Sequence, residues 1–112
     1  MIYVGKVLSD ASTTGTSNEV TALGANNVSA IVNIKSGSGT FTARLEGSID
    51  DVNWDIAATS GSVSASVVVS KPAINIYRKY RINVTAISGV HLDGYLAING
   101  VERSAIIQCD LR

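Results

Sequence analysis

Apolar and polar residues alternate with a period of two along most of this chain, and no stripe of helical spacing competes with that pattern. Val28, Ala30, Val32 and Ile34 share one face, with Ser29, Asn33 and Lys35 on the other. Phe41, Ala43 and Leu45 alternate with Thr40, Thr42, Arg44 and Glu46, the signature of a half-buried strand. Val63, Ala65, Val67 and Val69 alternate with Ser62, Ser64, Ser66 and Ser70, and with Val68. Ile74, Ile76, Tyr80, Ile82, Val84 and Ala86 fall on one parity, and Leu96 and Ile98 follow. Further strands are expected over Ile2 to Leu8, Glu19 to Leu23 and Arg103 to Cys109.

Glycine, asparagine and serine punctuate these runs. Ser36-Gly37-Ser38-Gly39 reads as a hairpin connection, because glycine supplies the positive φ of tight turns. Asp50 to Asn53, Thr59-Ser60-Gly61 and Ser88-Gly89 mark further turns, and Asn99-Gly100 is the preferred type I′ pair. The polar stretch from Ser9 to Asn18 reads as a flexible loop or arm. The expectation is one all-β domain over residues 1–112, an antiparallel, jelly-roll-like β-sandwich of about seven to nine short strands.

Composition narrows the function. A chain of 112 residues suffices for one core, which buries roughly two-thirds of the surface the unfolded chain exposes. Nine basic residues balance nine acidic ones, so no long-range field draws the protein to nucleic acid or to an anionic membrane. Neutrality also lowers the repulsion between copies, which favours a homo-oligomer. No apolar run reaches the ~18 residues of a membrane span, and a single cysteine, Cys109, leaves no internal disulfide. The opening residues show no leader peptide, so synthesis in a reducing cytoplasm is expected.

Candidate chemistry is sparse. Asp51, Asn53 and Asp55 match the opening of a calcium loop, but Ile56 replaces its turn glycine and Ser62 its bidentate glutamate. A turn in which Asp and Asn bond their own backbone is the better reading. His91 and Asp93 share a strand face near Tyr95, yet the nucleophile elbow of a hydrolase is missing and the chain has one histidine. Cys109 reads as a small hydrophobe. The expectation is a protein that is not an enzyme and uses no cofactor or metal. Tyr77, Lys79 and Arg81 lie opposite Tyr80 in parity and read as outward charges that discourage wrong edge pairing, while Arg78 breaks the pattern. Trp54 is the sole tryptophan and reads either as a sugar-stacking or interface anchor, or as a plug at one end of the sandwich.

The run Leu45-Glu46-Gly47-Ser48-Ile49-Asp50-Asp51-Val52-Asn53-Trp54 resembles the L-x-G-S-x-D-G-x-N-W turn of small β-sandwich proteins from bacteriophage particles. Tyr80-Arg81-Ile82-Asn83-Val84, followed by Ser88-Gly89-Val90, is similar to the strands that come next in those proteins. The likeness spans Thr40 to Gly100, and Asp51 stands where the pattern has glycine. It implies a virion structural protein of the capsid decoration, or cement, type. Such a protein sits on the capsid surface, bridges subunits of the major capsid protein, and acts as a dimer or trimer. Asp51, Asn53, Trp54, Tyr77, Lys79 and Arg81 are then the candidate partner-interface residues. The alternatives are a carbohydrate-binding β-sandwich module and a tail or head–tail structural protein.

Overall fold

The computed structural model describes residues 2–21, 27–71 and 77–99. Among the described residues, seven antiparallel strands form one hydrogen-bonded sheet: β1 (Ile2–Ala11), β2 (Gly15–Thr16), β3 (Val20–Thr21), β4 (Asn27–Ser48), β5 (Asp55–Val63), β6 (Val67–Lys71) and β7 (Lys79–Asn99). The all-β expectation holds. The segments read as a strand from Arg103 to Cys109 and as a turn at Gly100 lie outside the described residues.

Two strands organise everything else. β4 and β7 pair along nearly their whole lengths, from Asn27 opposite Asn99 to Ser48 opposite Lys79. Toward the Asn27 end, β1 flanks β7 and β6 flanks β4. Toward the Ser48 end, β2 and β3 flank β7 and β5 flanks β4. The sheet thus has two halves that share their central strands. A straight strand would separate Ile82 from Gly94 by about 40 Å. Instead, a Cβ at Gly94 would stand 3.0 Å from Ile82 Cδ1 and 3.0 Å from Leu8 Cδ1. The sheet therefore folds over, and its halves face each other across one core. One continuous sheet supplies both sides of this core, where the expected sandwich would have used two.

The bend is where the sequence suggested a hairpin. Ser36 to Gly39 does not turn the chain back; β4 continues through it, opposite Ser88 to His91 of β7. The register slips between Ile34 and Ser36, between Gly37 and Thr40, and between Thr42 and Ala43, so the pairing bulges and twists. Gly37 and Gly89 hold φ of 90° and 77°. A Cβ on Gly37, Gly39 or Gly89 would overlap a carbonyl oxygen of the opposite strand. Ser88-Gly89 and Thr59-Ser60-Gly61, also read as turns, likewise lie inside strands, β7 and β5. In each case glycine admits a bulge.

Alternation decides the core. Val28, Ala30 and Val32 are fully buried before the bend; Phe41, Ala43 and Leu45 are buried after it, on the other parity, because the bulges insert residues into β4. Tyr80, Ile82, Val84, Val90, Leu92 and Leu96 of β7 complete the centre. The run from Val63 to Val69 is not one strand: Ser64 to Ser66 carry the chain from β5 to β6. Ser66 Oγ there accepts the Ile34 amide at 3.0 Å. The segment from Ser9 to Asn18 is tied down rather than free. Ser9 to Ala11 end β1, Gly15–Thr16 pair with Val84 and Asn83, and the Ser17 amide donates to the Ile82 carbonyl at 2.8 Å.

Candidate functional site

The turn between β4 and β5 is built around one carboxylate. Asp50 Oδ1 accepts the amides of Val52 at 3.0 Å and Asn53 at 2.8 Å, and Oδ2 accepts Asn53 Nδ2 at 2.8 Å. Ser48, fully buried, donates its hydroxyl to Asp50 Oδ1 at 3.3 Å and accepts the Asp51 amide at 2.9 Å. The bonds from Asn53 and Val52, followed by that from Ser48, hold the Asp50 carboxyl well below the usual carboxylate range. Asp51 takes φ of 66°, the left-handed conformation, which explains why glycine suits this position. Asp tolerates it better than most side chains. The calcium-like D-x-N-x-D spacing is thus a self-bonded turn, with Asn53 turned onto Asp50.

Trp54 leaves the turn half-buried, and one face of its ring lies on Arg81, with Cζ 4.0 Å from the centroid. Arg81 Nε donates to Glu46 Oε1 at 2.8 Å, and Asn83 Nδ2 donates to Oε2 at 3.0 Å. Glu46 is 5% exposed, so a buried carboxylate has both oxygens satisfied and its charge matched. Cross-strand register assembles this group, because Arg81, Glu46 and Ile56 sit opposite one another on β7, β4 and β5.

Lys79 Nζ reaches Asp51 Oδ2 at 3.5 Å and Glu19 Oε1 at 3.7 Å, tying β7 to the turn and to the segment before β3. The edge-guard reading of these cations fails, since Lys79 pairs with Thr21 on one side and Ser48 on the other. Arg78 precedes β7, is exposed, and donates its amide to the Ser48 carbonyl at 2.9 Å, so strand parity does not govern it. Tyr77 covers Gly47, where a Cβ would overlap its ring, and meets Tyr80 edge-on with centroids 5.9 Å apart. Burial and the neighbouring Asp55 push the Tyr77 phenol up. The six candidate interface residues, Asp51, Asn53, Trp54, Tyr77, Lys79 and Arg81, are therefore gathered around this turn at one end of the sheet.

The sequence reading missed what the network displays. Ile49 and Val52 in the six-residue turn, and Ile56 in the first residues of β5, are large apolar residues left 53%, 76% and 54% exposed. Isolated apolar residues in a turn carry no periodic signal; only the surrounding Asp50 and Ser48 caps hint that the turn is rigid enough to present them.

His91 and Asp93 lie elsewhere, on the half of the sheet that carries β1. His91 Nδ1 lies 3.0 Å from Asp10 Oδ1, while Asp93 Oδ1 accepts the Asp10 amide at 2.9 Å. That amide bond, with Lys6 and Lys35 nearby, holds the Asp93 carboxyl below its ordinary range. Both residues thus anchor the irregular end of β1, where Asp10 has φ of 54°. Cys109 lies outside the described residues. No group of three or more metal-ligating side chains occurs among the described residues.

No protein-family model and no curated protein sequence matches this chain. Among solved structures, the fold is similar to that of the SPBc2 prophage-derived protein YomS, with a TM-score of 0.68 at 6% sequence identity. The match covers 88% of this chain and 94% of that one, so the likeness takes in nearly the whole domain.

Proposed function

We propose that this chain is a bacteriophage structural protein, not an enzyme, that decorates the capsid and stabilises it by bridging neighbouring subunits of the major capsid protein. The observation that carries this reading is the fold shared with a prophage-derived protein over 88% of this chain and 94% of that one. The turn resemblance supports it independently, because Ser48, Asp50 and Asn53 of the resembling run form one self-bonded turn. A decorating protein needs a rigid surface and modest affinity per copy, since a shell repeats each contact many times. Neutral net charge suits a dimer or trimer on the virion surface after synthesis in the host cytoplasm. The carbohydrate-binding reading is disfavoured by Trp54, one of whose faces is already covered by Arg81.

Co-sedimentation of the purified protein with undecorated heads tests the proposal. Saturable binding, together with density for this fold on the outer capsid surface by electron microscopy, is the expected result. Density on the tail or connector would move the protein to the head–tail alternative, and absence from purified virions would remove both.

A further inference from the structure

We infer that the β4–β5 turn from Ile49 to Trp54, together with Ile56 at the start of β5, is a preformed plug that seats in an apolar, basic-rimmed pocket of a partner protein. Naming that partner a capsid subunit rests on the function proposed above.

Three observations support the plug. Ile49 and Val52 in the turn and Ile56 just after it are exposed within eight residues, where solvation of aliphatic surface is unfavourable without a partner. Asp50 fixes the turn backbone through two amides, Ser48 braces its start, and the stacked Trp54 and Arg81 fix its exit. A turn so held loses little conformational freedom on docking, which raises affinity without new contacts. The charge at the tip then selects the occupant. Asp50 and Asp55 carry carboxylates on exposed residues with no salt-bridge partner among the described residues, while Asp51 shares its charge with Lys79. Two copies meeting tip to tip would bring these acids together, and an anionic lipid surface would repel them. A protein pocket with arginine or lysine at its rim accepts both the aliphatic side chains and the acids.

The test compares wild-type protein, an Ile49→Ser/Val52→Ser variant, and a Val4→Ser/Val68→Ser control in binding to undecorated heads. Val4 and Val68 are comparably exposed, at 57% and 60%, but lie on β1 and β6 of the other half of the sheet. All four side chains are more than half exposed, so none of the substitutions removes core packing. The turn variant should lose affinity about tenfold or more while the control does not. High salt should also weaken wild-type binding. Equal binding by all three proteins would overturn the plug and leave the decoration role standing. Loss in the control alone would place the contact on the opposite half of the sheet. If wild type fails to bind heads at all, the decoration reading fails and takes this partner with it. A turn variant that instead loses vesicle binding or self-association, measured by flotation and by sedimentation velocity, would overturn the choice of a protein pocket.

Discussion

Two side chains show how burial sets the chemistry of single residues here. Tyr80 is fully buried, and its hydroxyl has no hydrogen-bond partner among the described residues. A buried, unpaired polar atom is a cost, so Tyr80→Phe should leave stability unchanged or raise it by about 1 kcal/mol in chemical denaturation. Burial also pushes the Tyr80 phenol up from its ordinary value. Because the folded state holds that proton more tightly than the unfolded chain, the associated stability is complete below about pH 10 and declines as pH rises beyond it. The Phe variant should show a weaker alkaline decline. Arg81 behaves oppositely, because it neutralises a buried partner. Arg81→Ala leaves the buried Glu46 carboxylate without its guanidinium and should cost about 3 kcal/mol. It should also change Trp54 fluorescence, as the cation leaves the indole face. Parity alone placed Arg81 outward, and outward it lies. The sequence offered no means of knowing that Trp54, from a turn far along the chain, would close over it.

At the scale of elements, alternation was a dependable guide and punctuation was not. Val28 to Val32, Phe41 to Leu45 and Tyr80 to Val84 bury the faces their spacing predicts. The glycine-marked segments misled because local sequence cannot say whether positive φ reverses the chain or merely kinks it. Ser36 to Gly39 and Ser88-Gly89 oppose each other in the structure, a pairing with no local signal. Their backbones approach too closely for any Cβ. Gly89→Ala should therefore cost about 2–4 kcal/mol by thermal or chemical unfolding, from left-handed strain plus collision with the Ser38 carbonyl. Gly61→Ala separates the two causes: φ there is 67°, but the space around it is open, so about 1 kcal/mol is expected. Equal losses at the two sites would mean the bend tolerates a side chain. The Asp50 turn was legible because its bonds are local, spanning two or three residues.

For the whole molecule, the decisive arrangement is that β4 and β7 each run through both halves of the folded sheet. It couples the Asp50 turn at one end to β1 at the other through shared backbone, with no linker or hinge segment between the two halves. Neither half owns its central strands, so neither can be excised, melted or circularly rearranged alone. Amide exchange along β4 and β7 should accordingly report one common opening free energy rather than two classes. The same arrangement governs how the protein is made. Asn27 must find Asn99 before one half gains its core, and Ser48 must find Lys79 before the other does. Such distant pairing puts folding in the millisecond-to-second range typical of β-rich domains of high contact order. The chain must reach β7 before the sheet can close, so nascent chains that stop at the bend remain uncommitted. Folding then completes late, and as a single event.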